Sequence, residues 1–210
     1  MQGGKLAGGN PENGRVDNDF YATDPAAVEQ LFKALRMYDN DFTDFSPFSF
    51  MEPCVGNGNI ANATLNYFNF SLHRPESVNT FVDIVDRGYP ETIVQDFMTF
   101  KPERKYQLIV TNPPYSIALD FVKKCLEHLE HRGYLAMFLK IQFWEGEKRK
   151  QFLLDNPPAF CFPFSKRMPT WNASAGLPPC ATPGSCGRRT TVTFAGQCQS
   201  RSSIWYRNKM

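Results

Sequence analysis

The feature that most restricts how this chain can fold is a repeated pairing of a short apolar run with a polar residue at its end, followed by a stretch of helical spacing. Phe48 to Met51 runs into Glu52, Val78 to Val82 into Asp83, Ile93-Val94 towards Asp96, and Gln107 to Val110 into Thr111-Asn112. Runs of this length and composition read as buried strands. A helix opens the fold: Thr23-Asp24-Pro25 sets a capping residue before a proline at the first helical position, and Val28, Leu31, Phe32 and Leu35 follow at helical spacing. Further helices are expected after Gly58, from about Ile117 to Glu130, and from about Glu145 to Asp155. Gly133 introduces a strand over Tyr134 to Leu139, and another is expected at Ala159 to Phe164. Strands alternating with helices imply an α/β fold, a doubly wound and mostly parallel sheet with helices on both faces. Ligands of such sheets sit off the carboxyl ends of the strands. Glu52, Gly56, Asp83, Asp96 and Asn112 are therefore expected to meet on one edge.

A length of 210 residues favours one domain and one site. No run approaches a transmembrane helix, and residues 1–19, polar and rich in glycine and asparagine, lack the apolar core of a secretory signal. They are expected to form a flexible arm, and a cytoplasmic setting follows. All 21 acidic residues precede Asn156, whereas 7 of the 23 lysines and arginines follow it, so the body carries −5 and the tail +7. A nucleic-acid enzyme with this body needs a locally basic groove, because its bulk charge does not supply one. The six cysteines form no Cys-x-x-Cys pair, so no metal site is expected. Cys125, His128 and His131 read as one solvated helix face, and so does Lys148-Arg149-Lys150, with contact to phosphate as its alternative.

Three groups of residues carry chemistry. Gly56-Asn57-Gly58 lets backbone approach a ligand and leads into a helix with free N–H groups. Extended to Ala61, and with Asp83 following at the spacing of an acidic ribose ligand, it also fits a dinucleotide-binding turn, so a nicotinamide enzyme competes on this motif. Asp83 could accept from two ribose hydroxyls, with Asp86 a rival for that role. Asp96-Phe97 could hold an adenine, through the acid and the ring face. The deciding group is Asn112-Pro113-Pro114-Tyr115. Two prolines after an apolar strand make a rigid loop with N–H groups removed, so carbonyls can face a substrate. Hydrogen bonds from a conjugated NH₂ to the Asn112 side-chain oxygen and the Pro113 carbonyl would favour a more tetrahedral nitrogen. Tyr115 offers a face for a planar group to stack on. The nicotinamide reading has no use for this loop.

Phe20-Tyr21-Ala22-Thr23-Asp24-Pro25, Glu52-Pro53-x-x-Gly56-x-Gly58, Asp83, Asp96-Phe97 and Asn112-Pro113-Pro114-Tyr115 stand in the order seen in N6-adenine DNA methyltransferases, and from about Asn18 to Asn172 the chain resembles the small phage-type enzymes of that family. The resemblance extends to Phe138-Leu139-Lys140 and Phe164-Ser165-Lys166-Arg167-Met168. It implies a Rossmann-like class I domain over residues 20–172, S-adenosylmethionine as cofactor, and DNA adenine as substrate in a bacterial or phage-infected cell. Tyr21, Thr23, Glu52, Pro53, Gly56 and Gly58 would then meet the methionine end of the cofactor. Asp83 would hold its ribose, Asp96 and Phe97 its adenine, and Asn112, Pro113, Pro114 and Tyr115 the flipped target base. The implied reaction is in-line displacement of a sulfonium methyl by N6, driven by orientation and hydrogen bonding. RNA adenine or a protein glutamine amide presents a planar NH₂ to the same loop, and an inactive remnant that only binds cofactor or nucleic acid is a further alternative.

After Asn172 the texture changes to Pro, Gly, Ser, Cys and Arg, and residues 173–210 read as an unfolded tail. Allowed codons for Cys180 through Arg189, read one nucleotide earlier, can spell Met-Cys-Tyr-Ala-Trp-Phe-Val-Trp-Glu-Lys, an apolar strand. A frameshift between about Asn172 and Pro179 is the expectation, with the sheet lacking its last strand in the chain as written.

Overall fold

The computed structural model describes residues 22–69 and 78–164 in full and 189–195 as backbone. Helix α1 (Pro25–Tyr38) starts where Asp24 accepts a hydrogen bond from the Ala26 N–H at 2.9 Å, and it buries Ala27, Val28, Leu31, Phe32 and Leu35. A single turn, α2 (Asn40–Thr43), is capped by Asp39 and buries Phe42. The chain continues through β1 (Ser49–Glu52), α3 (Asn59–Tyr67), β2 (Val78–Asp83), β3 (Thr92–Val94) and β4 (Tyr106–Thr111). A 3₁₀ turn at Tyr115–Ile117 leads into α4 (Ala118–Glu127), then β5 (Leu129–Lys140), a second 3₁₀ turn at Ile141–Trp144, α5 (Glu147–Asp155), β6 (Phe160–Pro163) and β7 (Arg189–Ala195).

The strands form one sheet in the order β3-β2-β1-β4-β5-β7-β6. The first five are parallel neighbours, and β7 is antiparallel to both β5 and β6. Alternation of side chains sends successive residues of a strand to opposite faces. Leu108, Val110, Ala136 and Phe138 accordingly join the core beneath α1 and α3 with Phe32, Phe42 and Phe50. Ile109, Leu135 and Met137 join the core beneath α4 with Met51, Val82 and Phe121. Each fully buried Leu or Phe of these layers contributes roughly 1.5–3 kcal/mol. The two cores press on β1 and β4 from either side, which fixes the strand ends that carry Glu52 and Asn112.

Three expectations are corrected. The last strand is present: Arg189–Ala195 fills the place between β5 and β6, within the stretch read as unfolded tail. Thr190, Thr191, Val192, Thr193 and Phe194 are β-branched or aromatic and favour extended backbone. Helix α4 ends at Glu127 rather than near Glu130, because Leu129 already pairs with Tyr106 of β4 and the register shifts between there and Leu108↔Tyr134. Cys125 lies fully buried on the apolar face of α4 and not on a solvated face, while His131 has passed into β5. The frame-shifted reading of Cys180 through Arg189 falls outside the described residues except for Arg189, and the N-terminal arm lies outside them too.

Candidate functional site

Four strand ends and the first residues of the described chain converge on one cleft at the carboxyl edge of the sheet. Ala22, Thr23, Glu52, Pro53, Asp83, Asp96, Phe97, Asn112 and Pro114 all line it. The expected sites that begin separate sequence segments are thus brought together. Tyr21 lies outside the described residues.

Glu52 closes β1 and is 1% exposed, with Oε2 buried and without a hydrogen-bond partner among the described residues. Burial raises its pKa well above the ordinary carboxylate value; the Ala61 backbone hydrogen bond opposes this, and the charge of Asp83 adds to it. Cys54 next to it is also pushed well up by burial, then by Asp83, which keeps it a thiol and a poor nucleophile.

Asp83 is held by backbone at both oxygens. The Gly56 N–H donates to Oδ2 at 2.8 Å, and the Val85 N–H to Oδ1 at 3.0 Å. The Gly56 to Gly58 turn is therefore tied to the end of β2. A carboxylate has about four acceptor positions, so two such bonds leave it able to take further donors. Asp86, the rival acid, instead accepts from the Gly88 N–H at 2.8 Å within its own exposed turn.

The glycine turn also serves packing within the protein. Gly58 has φ of 82°, and a Cβ there would fall into the ring of Tyr89. Its missing side chain makes room for protein packing, and Asn57 and Asn59 on either side are the residues that reach the cleft. Phe97 lines the cleft while 3% exposed, its ring packed 4.7 Å from that of Phe121. Asp96 is exposed and bends the chain by accepting from the Met98 N–H at 2.8 Å. Lys124 donates to the Met98 carbonyl at 2.7 Å, which locks this loop against α4.

Asn112 is linked to the opposite wall. Its Nδ2 donates to Thr23 Oγ1 at 3.1 Å, and the Thr23 carbonyl accepts from Asn59 Nδ2 at 2.9 Å. Thr23 thereby joins the double-proline loop to the start of α3. The amide oxygen of Asn112 receives the Tyr115 hydroxyl at 3.4 Å, a long bond. Pro113 is buried, and Tyr115 lines a second cavity rather than the cleft.

Ile84, Arg87, Asn57, Asn59 and Ile117 line the cleft and were not singled out from sequence. Ile84 and Ile117 are 56% and 39% exposed. An exposed isoleucine immediately after a strand-end acid, or just after a substrate loop, is a usable signal, since a solvated loop has little reason to carry one.

No protein-family model matches the chain. A solved chain from Listeria monocytogenes, assigned as a class I S-adenosylmethionine-dependent methyltransferase, superposes with a TM-score of 0.60 at 12% identity, covering 90% of this chain and 65% of that one. One from Pyrococcus horikoshii, assigned as an RNA methyltransferase, gives 0.58 at 11% identity, covering 91% and 94%. The fold is that of class I S-adenosylmethionine-dependent methyltransferases, with an antiparallel strand inserted between the last two, and not the all-parallel 3-2-1-4-5-6 sheet of dinucleotide-binding enzymes. In sequence, the type II methyltransferase M.CvrRI of Paramecium bursaria Chlorella virus XZ-6E is 30% identical over 119 residues, 47% of this chain. The chain spans about a third of that relative, 31% of its length. Among the described residues no helix is long and apolar enough to cross a membrane.

Proposed function

We propose that the chain transfers a methyl group from S-adenosylmethionine to N6 of adenine in DNA. The observation that carries this reading is that Asn112 and Pro114 share one cleft with Glu52, Asp83 and the residues flanking the glycine turn. A loop suited to a planar amine thus faces a site suited to a cationic nucleoside.

The residues present fit that cofactor. Glu52 keeps a buried carboxylate oxygen unpartnered on the cleft wall, where a cationic ligand would satisfy it. Asp83, fixed by two backbone N–H groups, is oriented to accept from vicinal hydroxyls. The exposed faces of Ile84 and Ile117 offer apolar surface for a purine. When bound, S-adenosylmethionine supplies an electrophilic methyl on a sulfonium.

The chain's own work is to hold the acceptor nitrogen. Thr23 receives the Nδ2 donor of Asn112 and so fixes the amide's orientation, with Oδ1 as its accepting end for a substrate NH₂. Such a bond draws the nitrogen lone pair out of conjugation and aims it. No side chain needs to form a covalent bond to substrate, and the barrier falls through positioning and fixed dipoles. DNA as the substrate is supported by the motif order of the N6-adenine enzymes and by the type II viral relative.

Asn112→Ala tests the reading. Transfer to an adenine-containing DNA duplex is expected to fall about 10²–10³-fold, the scale of losing one preorganised polar contact, while S-adenosylmethionine binding by calorimetry holds. Unchanged turnover would remove the mechanism. Parallel assays with RNA and with a glutamine peptide decide the substrate class, and activity on either in place of DNA would overturn this choice.

A further inference from the structure

A second cavity adjoins the double-proline loop and is lined by Tyr115, Leu139, Lys140, Gln142 and Phe143, with Arg149 at its edge. Tyr115 connects it to the cleft: the residue lines the cavity and its hydroxyl reaches Asn112. The ammonium of Lys140 sits over the Tyr115 ring, 4.3 Å from its centroid. That is inside the range of a cation–π contact.

The cations here differ in what they can do. Arg149 is committed to backbone, donating to the carbonyls of Phe143 at 2.6 Å, Gln142 at 2.8 Å and Glu145 at 3.1 Å, and so braces the 3₁₀ turn beneath the cavity. Lys150 pairs with Glu147 at 3.3 Å. Among the described residues Lys140 has no carboxylate within ion-pair range. Its backbone is fixed at the end of β5 behind the fully buried Leu139, while its ammonium is exposed on a flexible stem.

On the reading that Tyr115 receives the target base, and on the ring face that Lys140 covers, the ammonium and the base compete for that face. We infer that Lys140 is a displaceable cap on Tyr115, which yields its place to the entering adenine and then pairs with the backbone phosphate of that nucleotide. A nucleoside must displace the ammonium and offers nothing in exchange. A nucleotide within a strand brings the anion that takes up the released charge. Lys140 would then favour polynucleotide over free nucleoside, which matters for a body whose bulk charge is negative.

The test uses the full chain with S-adenosylhomocysteine present, comparing wild type with Lys140→Met, which keeps the stem and removes the charge. Two probes are titrated: adenosine, and a short single-stranded deoxyoligonucleotide with one adenine. The variant is expected to bind the oligonucleotide about tenfold more weakly at low salt, the scale of one charge-assisted bond, with a log–log salt slope smaller by about 0.7. Adenosine binding should hold or tighten. Lys140→Arg should retain the oligonucleotide slope. Equal weakening of both probes, or an unchanged oligonucleotide slope in Lys140→Met, overturns the cap. A wild-type chain that binds cofactor but neither probe overturns the adenine reading, and the cap with it. Binding of both probes with no effect of Lys140→Met overturns the cap alone.

Discussion

Glu52 concentrates much of the site's electrostatics in one side chain. Because burial raises its pKa, the folded chain retains a proton that the unfolded chain releases once the pH exceeds the ordinary glutamate value. The sign follows directly: this contribution favours the fold most below the unfolded pKa and declines as pH rises through the interval up to the raised value. Urea midpoints measured from pH 4 upward should fall more steeply for wild type than for Glu52→Gln, and parallel curves would mean that Glu52 stays ionised in the fold. Gly58 offers a second test at this scale. Its left-handed φ of 82° and the Tyr89 ring in the path of a Cβ predict that Gly58→Ala loses about 2 kcal/mol of stability by denaturant titration. Gly56 and Gly58 were legible as a special turn, because only glycine explains the pair. That the second one serves Tyr89 was not legible, since Tyr89 is remote in sequence and meets Gly58 only through the pairing of β1 with β2.

At the scale of elements, β1, β2, β4, β5 and α1 could be read from sequence because each carries its own signal: an apolar run ended by a polar residue, or a cap followed by helical spacing. The convergence of the candidate residues on one edge was legible for the same reason, since Glu52, Asp83 and Asp96 each sit at or just after a strand's end. The place of β7 was not. Its Thr-rich alternation is local, but a surrounding texture of Pro, Gly and Ser outweighed it, and its position depends on partners far earlier in the chain. Cys125 was misjudged on similar grounds: spacing relative to two histidines suggested a polar face, whereas Phe121 and Val122 set the buried face of α4. Lys140 belongs here too, because its relation to Tyr115 exists only where β4 and β5 lie side by side and end at the same edge.

For the whole molecule, the sheet joins two cores through its central strands, and its last three members close one side. A chain ending before Arg189 would leave Tyr134 to Lys140 of β5 without the partners they have in β7 and would strand β6. Exposed edges of this kind promote association between chains. Such a truncation should melt at a lower temperature and run as aggregates on size exclusion, and a monomer of unchanged melting temperature would show that β7 adds little.

That placement of β7 also shapes the order of events at the ribosome. The segment that separates β5 from β6 is translated after both, so neither can pair with β7 until it has been made, and they must not seal against each other first. A nascent chain of this design waits with an open seam until its closing residues emerge from the exit tunnel, a period in which chaperones would find it.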